Sequence, residues 1–194
     1  AMREAEKAAK NLYGRNALCV HLLKRSGEQV RVGAQWFYPD EYLKETESYD
    51  LDWQKQWGKE VRDTIALLED VRQRLNKDWL SMKFAHAVFE QATTLAGAAF
   101  TAPARQAEIY RLAKRQKGER CPDPKAQAKE LAAKLTPFAE ALEQHRRKWE
   151  ADWEKHHQRE PDAVDEAEAP QPGMVELAKW LVLIRFIVSG GGRE

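Results

Sequence analysis

The chain has 194 residues, of which 43% are hydrophobic and 32% charged, and its formal net charge is +1. That length can bury a real core in one or two domains. The near-neutral balance excludes a uniformly basic nucleic-acid binder, so any such surface has to be local.

Ala5, Ala8, Ala9 and Leu12 recur at helical spacing, and Gly14 follows them where a helix ends. No capping Ser, Thr, Asp or Asn precedes this helix. It reads as cut into, and the chain as the C-terminal piece of something larger. Leu18, Val20 and Leu22 then alternate with their neighbours, as do Val30, Val32, Ala34 and Trp36, across a Ser26-Gly27 turn. The pattern predicts a hairpin. One hairpin on one helix is marginal in water, so the sheet reads as torn at its edge.

Residues 37–57 are aromatic and acidic without a period, and predict a connector in which Trp53 and Trp57 anchor structure. Val61, Ile65, Leu68, Leu75 and Trp79 mark an amphipathic helix, widened by Leu67 and Val71. A second helix is expected over about 80–97, carrying Phe84, Val88 and Leu95, with His86 as a core or boundary histidine. Thr101 and Pro103 open a third, with Ile109, Leu112 and Ala113 inward. Its end is basic: Arg111, Lys114, Arg115, Lys117 and Arg120, opposed within 111–120 only by Glu119. Two readings of this cluster stand side by side. Either the cations complement the negative end of the helix dipole, or they contact nucleic-acid phosphate.

Asp123 and Pro124 form an N-cap and N1 pair. Leu131, Leu135, Phe138, Leu142, His145, Trp149 and Trp153 then follow at heptad-like spacing, and their unbroken phase favours a continuous, kinked helix across Pro137 over a break at which Thr136 recaps a second helix. His156-His157 reads as a solvated helix end, because adjacent residues on a helix face different ways. The acidic, proline-containing stretch 159–173 reads as a flexible linker or a long exposed loop. Residues 174–188 predict a buried last helix, with Val175, Ala178, Leu181, Val182 and Phe186 on its inward face.

The sequence holds no Gly-rich phosphate loop, nucleophile–base triad, H-E-x-x-H or CxxC pair. Cys19 and Cys121 fit no metal or redox spacing and read as reduced thiols of a cytoplasmic protein. The longest apolar run, around 180–183, is interrupted by Lys179 and Arg185 and is too short to span a bilayer.

Ala5, Ala9, Lys10, Gly14, Arg15 and Asn16 resemble the A-x-x-x-A-K-x-x-G-R-N ending of palm-type nucleotide cyclases, with three residues instead of two between Lys10 and Gly14. Together with the hairpin NALCVHLLKRSGEQVRVGAQW and the ending LAKWLVLIRFIVSGGG, the chain resembles the palm-containing large subunit of type III CRISPR–Cas effector complexes, nearest the Cmr type. The resemblance implies that residues 1–40 end a palm-like nucleotide-cyclase domain and that 41–194 form a helical C-terminal domain. It implies a full-length protein that binds ATP and a divalent metal, makes cyclic oligoadenylates and serves RNA-guided antiviral defence. Lys10 would reach a triphosphate and Arg15 would share that role. The family's acidic GGDD turn is absent from this chain, so the fragment itself should be non-catalytic, with no cofactor of its own. Its work would be assembly with the other subunits, the helical small subunit included, and contact with guide RNA and target RNA.

The expected fold is therefore mainly α: an N-terminal helix and β-hairpin, then a bundle of about five helices. A standalone helical scaffold or adaptor without nucleic acid is the competing reading. Its support is the neutral charge and the heptad seam; the helix-and-hairpin start argues against it. An independent nucleotidyl-transferring enzyme is disfavoured by the missing acidic pair.

Overall fold

The computed structural model describes residues 2–13, 17–23, 29–35, 53–159 and 170–190. The chain is mainly helical. Helix α1 (Met2–Asn11) precedes strands β1 (Ala17–Leu23) and β2 (Gln29–Gln35), and five further helices follow. These are α2 (Trp53–Asn76), α3 (Lys83–Ala96), α4 (Ala102–Arg115), α5 (Pro124–Arg159) and α6 (Gly173–Gly190). The connector around 37–52, Arg15, the side chains of Trp53, Val61 and His156-His157, and most of the 159–173 linker lie outside the described residues.

The two strands pair antiparallel, with Leu18 opposite Ala34, Val20 opposite Val32 and Leu22 opposite Val30. Because the side-chain period of a strand is two, these three pairs share one face. That face packs on the core of the helical bundle, where Val32 and Ala34 are fully buried. The other face carries Ala17 and Cys19, which pack against Ala8, Leu12 and Tyr13 from α1 and its end. The hairpin is thus covered on both sides, which offsets the marginal stability of two strands alone.

Three side chains of the bundle tie this N-terminal part down through backbone carbonyls. His145 Nε2 donates to Leu12 O at 2.8 Å. Trp149 Nε1 donates to Asn11 O at 2.8 Å, and Trp180 Nε1 to Gly33 O at 3.3 Å. The first two carbonyls belong to Asn11, the last residue of α1, and to Leu12 just after it, where helix ends leave acceptors unsatisfied. Burial lowers the His145 imidazole below its ordinary range, and the Leu12 carbonyl partly opposes that shift. The Tyr13 ring stacks on His145 with centroids 6.3 Å apart and lies flat against Gly33, where a Cβ would come within 2.1 Å of it.

Glu176 closes the same junction. It is 2% exposed, and only its Oε1 has an ion pair, with Lys179 Nζ at 3.4 Å. Its Oε2 is buried without a hydrogen-bond partner among the described residues. Burial raises the Glu176 carboxyl above the usual range, against the pull of Lys179, and burial together with Glu176 raises the Tyr13 phenol. A carboxyl whose folded-state pKa is raised contributes stability at low pH that is lost as pH rises through the folded value. Glu176→Gln is therefore expected to stabilise the chain more at about pH 8 than at about pH 5. Thermal melts of both proteins at the two pH values check this; an equal shift at both would mean that Glu176 is not ionising in a buried place.

In the bundle, the predicted seam of α5 is buried from Leu131 through Leu135, Phe138 and Leu142 to His145. The helix runs through Pro137 unbroken, and the Thr136 hydroxyl donates to Ala132 O at 2.9 Å. The N-caps read from sequence are also present. Thr101 Oγ1 accepts from Ala104 N at 3.4 Å, and Asp123 Oδ1 accepts from Lys125 N and Ala126 N, each at 3.1 Å.

Five expectations are corrected. Phe186 is 44% exposed and is not a core residue; the buried residues of α6 include Met174, Leu177, Ala178, Trp180, Leu181 and Leu183. Ile65, placed on the inward stripe, is likewise exposed. Trp79 falls outside α2, because the chain turns at Asp78 with φ 55°, and α3 begins at Lys83 rather than near 80. His86 is exposed, and its ring contacts the Arg185 guanidinium.

Candidate nucleic-acid interface

The basic end of α4 is held in place by the chain on either side of it. Ser81 N donates to Gln116 O at 2.8 Å, Gly118 N to Trp79 O at 3.0 Å and Arg120 N to Asp78 O at 3.1 Å. Leu80 and Lys117 form an isolated antiparallel bridge. The loop after α4 is therefore fixed to the α2–α3 turn by main-chain bonds, and Lys117 and Arg120 project from a set backbone. Lys77, on that turn, rests 4.9 Å from the centroid of the Trp79 ring. Beneath, the buried Arg74 binds Asp70 Oδ1 at 3.0 Å, Glu130 Oε1 at 3.0 Å and Gln127 Oε1 at 2.5 Å. It joins α2 to the first turns of α5.

The five cations read from sequence do not share one fate. Arg111 is engaged in two hydrogen bonds with Glu108, at 2.7 and 2.5 Å. The hydrogen bond to Glu108 raises the guanidinium, and Arg111 in turn holds the Glu108 carboxyl low. The Arg111 charge is thus largely offset. Lys114 leans toward the Tyr110 ring, 5.9 Å from its centroid. Arg115, Lys117 and Arg120 are exposed and make no ion pair among the described residues. Four of the five can therefore face a polyanion.

Next to Lys114 a groove of about 470 Å³ runs between α4 and α5. Pro103, Gln106, Ala107 and Tyr110 line it from α4, and Lys125, Ala126, Lys129 and Ala132 from α5. Its floor is small and apolar, one wall carries an aromatic ring and the other two lysines, and no acidic side chain lines it. Lys125, Lys129 and Tyr110 were not singled out by sequence. Each pair repeats at i, i+4 (Tyr110 with Lys114, Lys125 with Lys129), but only the packing of two helices brings them together.

Lys10 stands apart on α1, exposed and paired with Glu6 Oε1 at 2.7 Å. The structure does not bring it to the α4 cluster. Among the described residues no group of three or more His, Cys, Asp or Glu side chains is placed to hold a metal, and no helix is long and apolar enough to cross a membrane. No protein-family model matches the chain, and no curated protein or solved structure matches it significantly.

Proposed function

We propose that this chain is the C-terminal part of a type III CRISPR effector large subunit, serving subunit assembly and contact with guide or target RNA. The observation that carries the RNA half of this reading is the set of cations Lys114 and Arg115, on the last turn of α4, and Lys117 and Arg120, on the fixed loop after it, beside an open groove. Backbone phosphate contacts need cations on a surface that a strand can reach, and carry no base information. ATP binding, the divalent metal and cyclic-oligoadenylate synthesis would belong to the whole protein and not to these residues. The family assignment itself rests on the sequence resemblance.

The test is RNA binding by the 194-residue chain. Wild type should bind RNA weakly, without sequence preference and steeply less with added salt. Lys114→Glu with Arg115→Glu should lower affinity, and each lost phosphate contact should reduce the log–log salt slope by about 0.7. If the double variant keeps wild-type affinity and slope, the cluster is a solvated helix end. An adaptor that binds protein alone then becomes the better reading. It has its own support in the exposed Phe89, Phe186 and Ile187 on α3 and α6.

A further inference from the structure

We infer that the α4–α5 groove receives one unpaired nucleobase, stacked on Tyr110, with the adjoining phosphates held by Lys114, Lys125 and Lys129. The inference deepens the RNA reading above and rests on it. Its first ground is size. The groove is an open cleft of about 470 Å³, within the range of roughly 300–1,000 Å³ usual for small-ligand clefts. An open cleft of that volume over the α4–α5 contact has room for a planar base and none for a duplex.

Its second ground is chemistry. Stacking on an aromatic face tolerates any base and needs apolar surroundings, here Pro103, Ala107, Ala126 and Ala132. The Gln106 amide offers both a donor and an acceptor to a base edge. The ammonium of Lys114 already lies near the Tyr110 ring. As a flexible, three-donor cation it can swing to a phosphate when a base takes that face. Lys125 and Lys129 supply positive charge from the opposite wall, and Lys114 lies one turn beyond Tyr110 on α4, toward the loop that carries Lys117 and Arg120. A single strand running past these cations can therefore place one base in the groove while its backbone stays on them.

The experiment measures binding of a short fluorescein-labelled oligoadenylate to the 194-residue chain at low salt, beside an abasic strand of the same length and an RNA duplex. Tyr110→Leu should weaken the single strand about tenfold, and should leave the abasic strand and the duplex unchanged. Tyr110→Phe should keep wild-type affinity, because the ring and not the hydroxyl stacks. Lys129→Glu, at an exposed position, should weaken the single strand and the abasic strand alike and lower the salt slope. Melting curves establish that each variant is folded; should Tyr110→Leu unfold, Lys129→Glu decides. The inference is overturned if Tyr110→Leu binds the single strand as wild type does, or if Lys129→Glu has no effect. Loss with Lys114→Glu/Arg115→Glu but not with the groove variants would remove the base site and leave the basic cluster. No loss with any of them would remove both.

Discussion

Phe84→Ala is expected to destabilise the chain by about 3–5 kcal/mol, and Phe186→Ala by less than about 1 kcal/mol. The two rings are chemically identical, and burial separates them. Phe84 is 1% exposed, on the face of α3 that also buries Ala85, Val88, Ala92 and Leu95. Removing it leaves a cavity that the neighbouring helices can only partly collapse. Phe186 sits near the end of α6 at 44% exposure, beside the exposed Ile187. Its truncation gives back ring area that water already reaches. Urea unfolding of the two variants, each compared with wild type, checks the pair. Equal losses would mean that α6 buries its Phe186 side, contrary to this packing.

Gly173→Ala is expected to cost about 3 kcal/mol, the upper part of the range for overpacking. A Cβ on Gly173 would stand 2.1 Å from Ala139 O and 2.6 Å from Glu143 N. Both are backbone atoms in the middle of α5 and cannot rotate away. The first turn of α6 would have to lift off. That movement also breaks the bond from Gly173 N to Glu143 Oε2, 3.0 Å long. Glu143 is a poor group to leave unpaired. Burial pushes its carboxyl up, but Arg146, the Gly173 N–H and Arg147 more than reverse this and hold it at about 2. Gly190→Ala is the control: nothing lies within 4 Å of its Cβ direction, and the melting midpoint should stay where it is. If Gly173→Ala melts with wild type, the close crossing of α5 and α6 is not as described.

Capping residues and period-two strands made much of the fold legible. Thr101, Asp123 and the alternating hairpin residues act where they stand, because caps and strand faces are local properties. The seam of α5 was legible for a related reason, since one apolar stripe against many charges has a single solution. α6 was not. From Met174 to Val188 it is apolar nearly all round, so its period cannot distinguish Leu183, which is buried, from Phe186, which is not. The turn at Asp78 was hidden as well, because only a left-handed backbone at that residue takes Trp79 off the helix.

The candidate site divides in the same way. The run of cations from 111 to 120 is visible as composition. That Glu108, three residues before it, neutralises Arg111 depends on a rotamer. That Lys125 and Lys129 stand across from Tyr110 depends on α4 lying against α5, a contact between residues far from one another in the chain.

The length of α5 has a mechanical consequence. Lys129, on the groove wall, and Trp149, bonded to the end of α1, lie twenty residues apart on one helix. At 1.5 Å per residue they are held about 30 Å from each other. The helix is a spacer bar with a fitting at each end, and Pro137 is its one weak point in between. Whatever seats on the groove and whatever seats on the hairpin are therefore set at a fixed gauge, and a change of bend at Pro137 would alter that gauge at both ends at once.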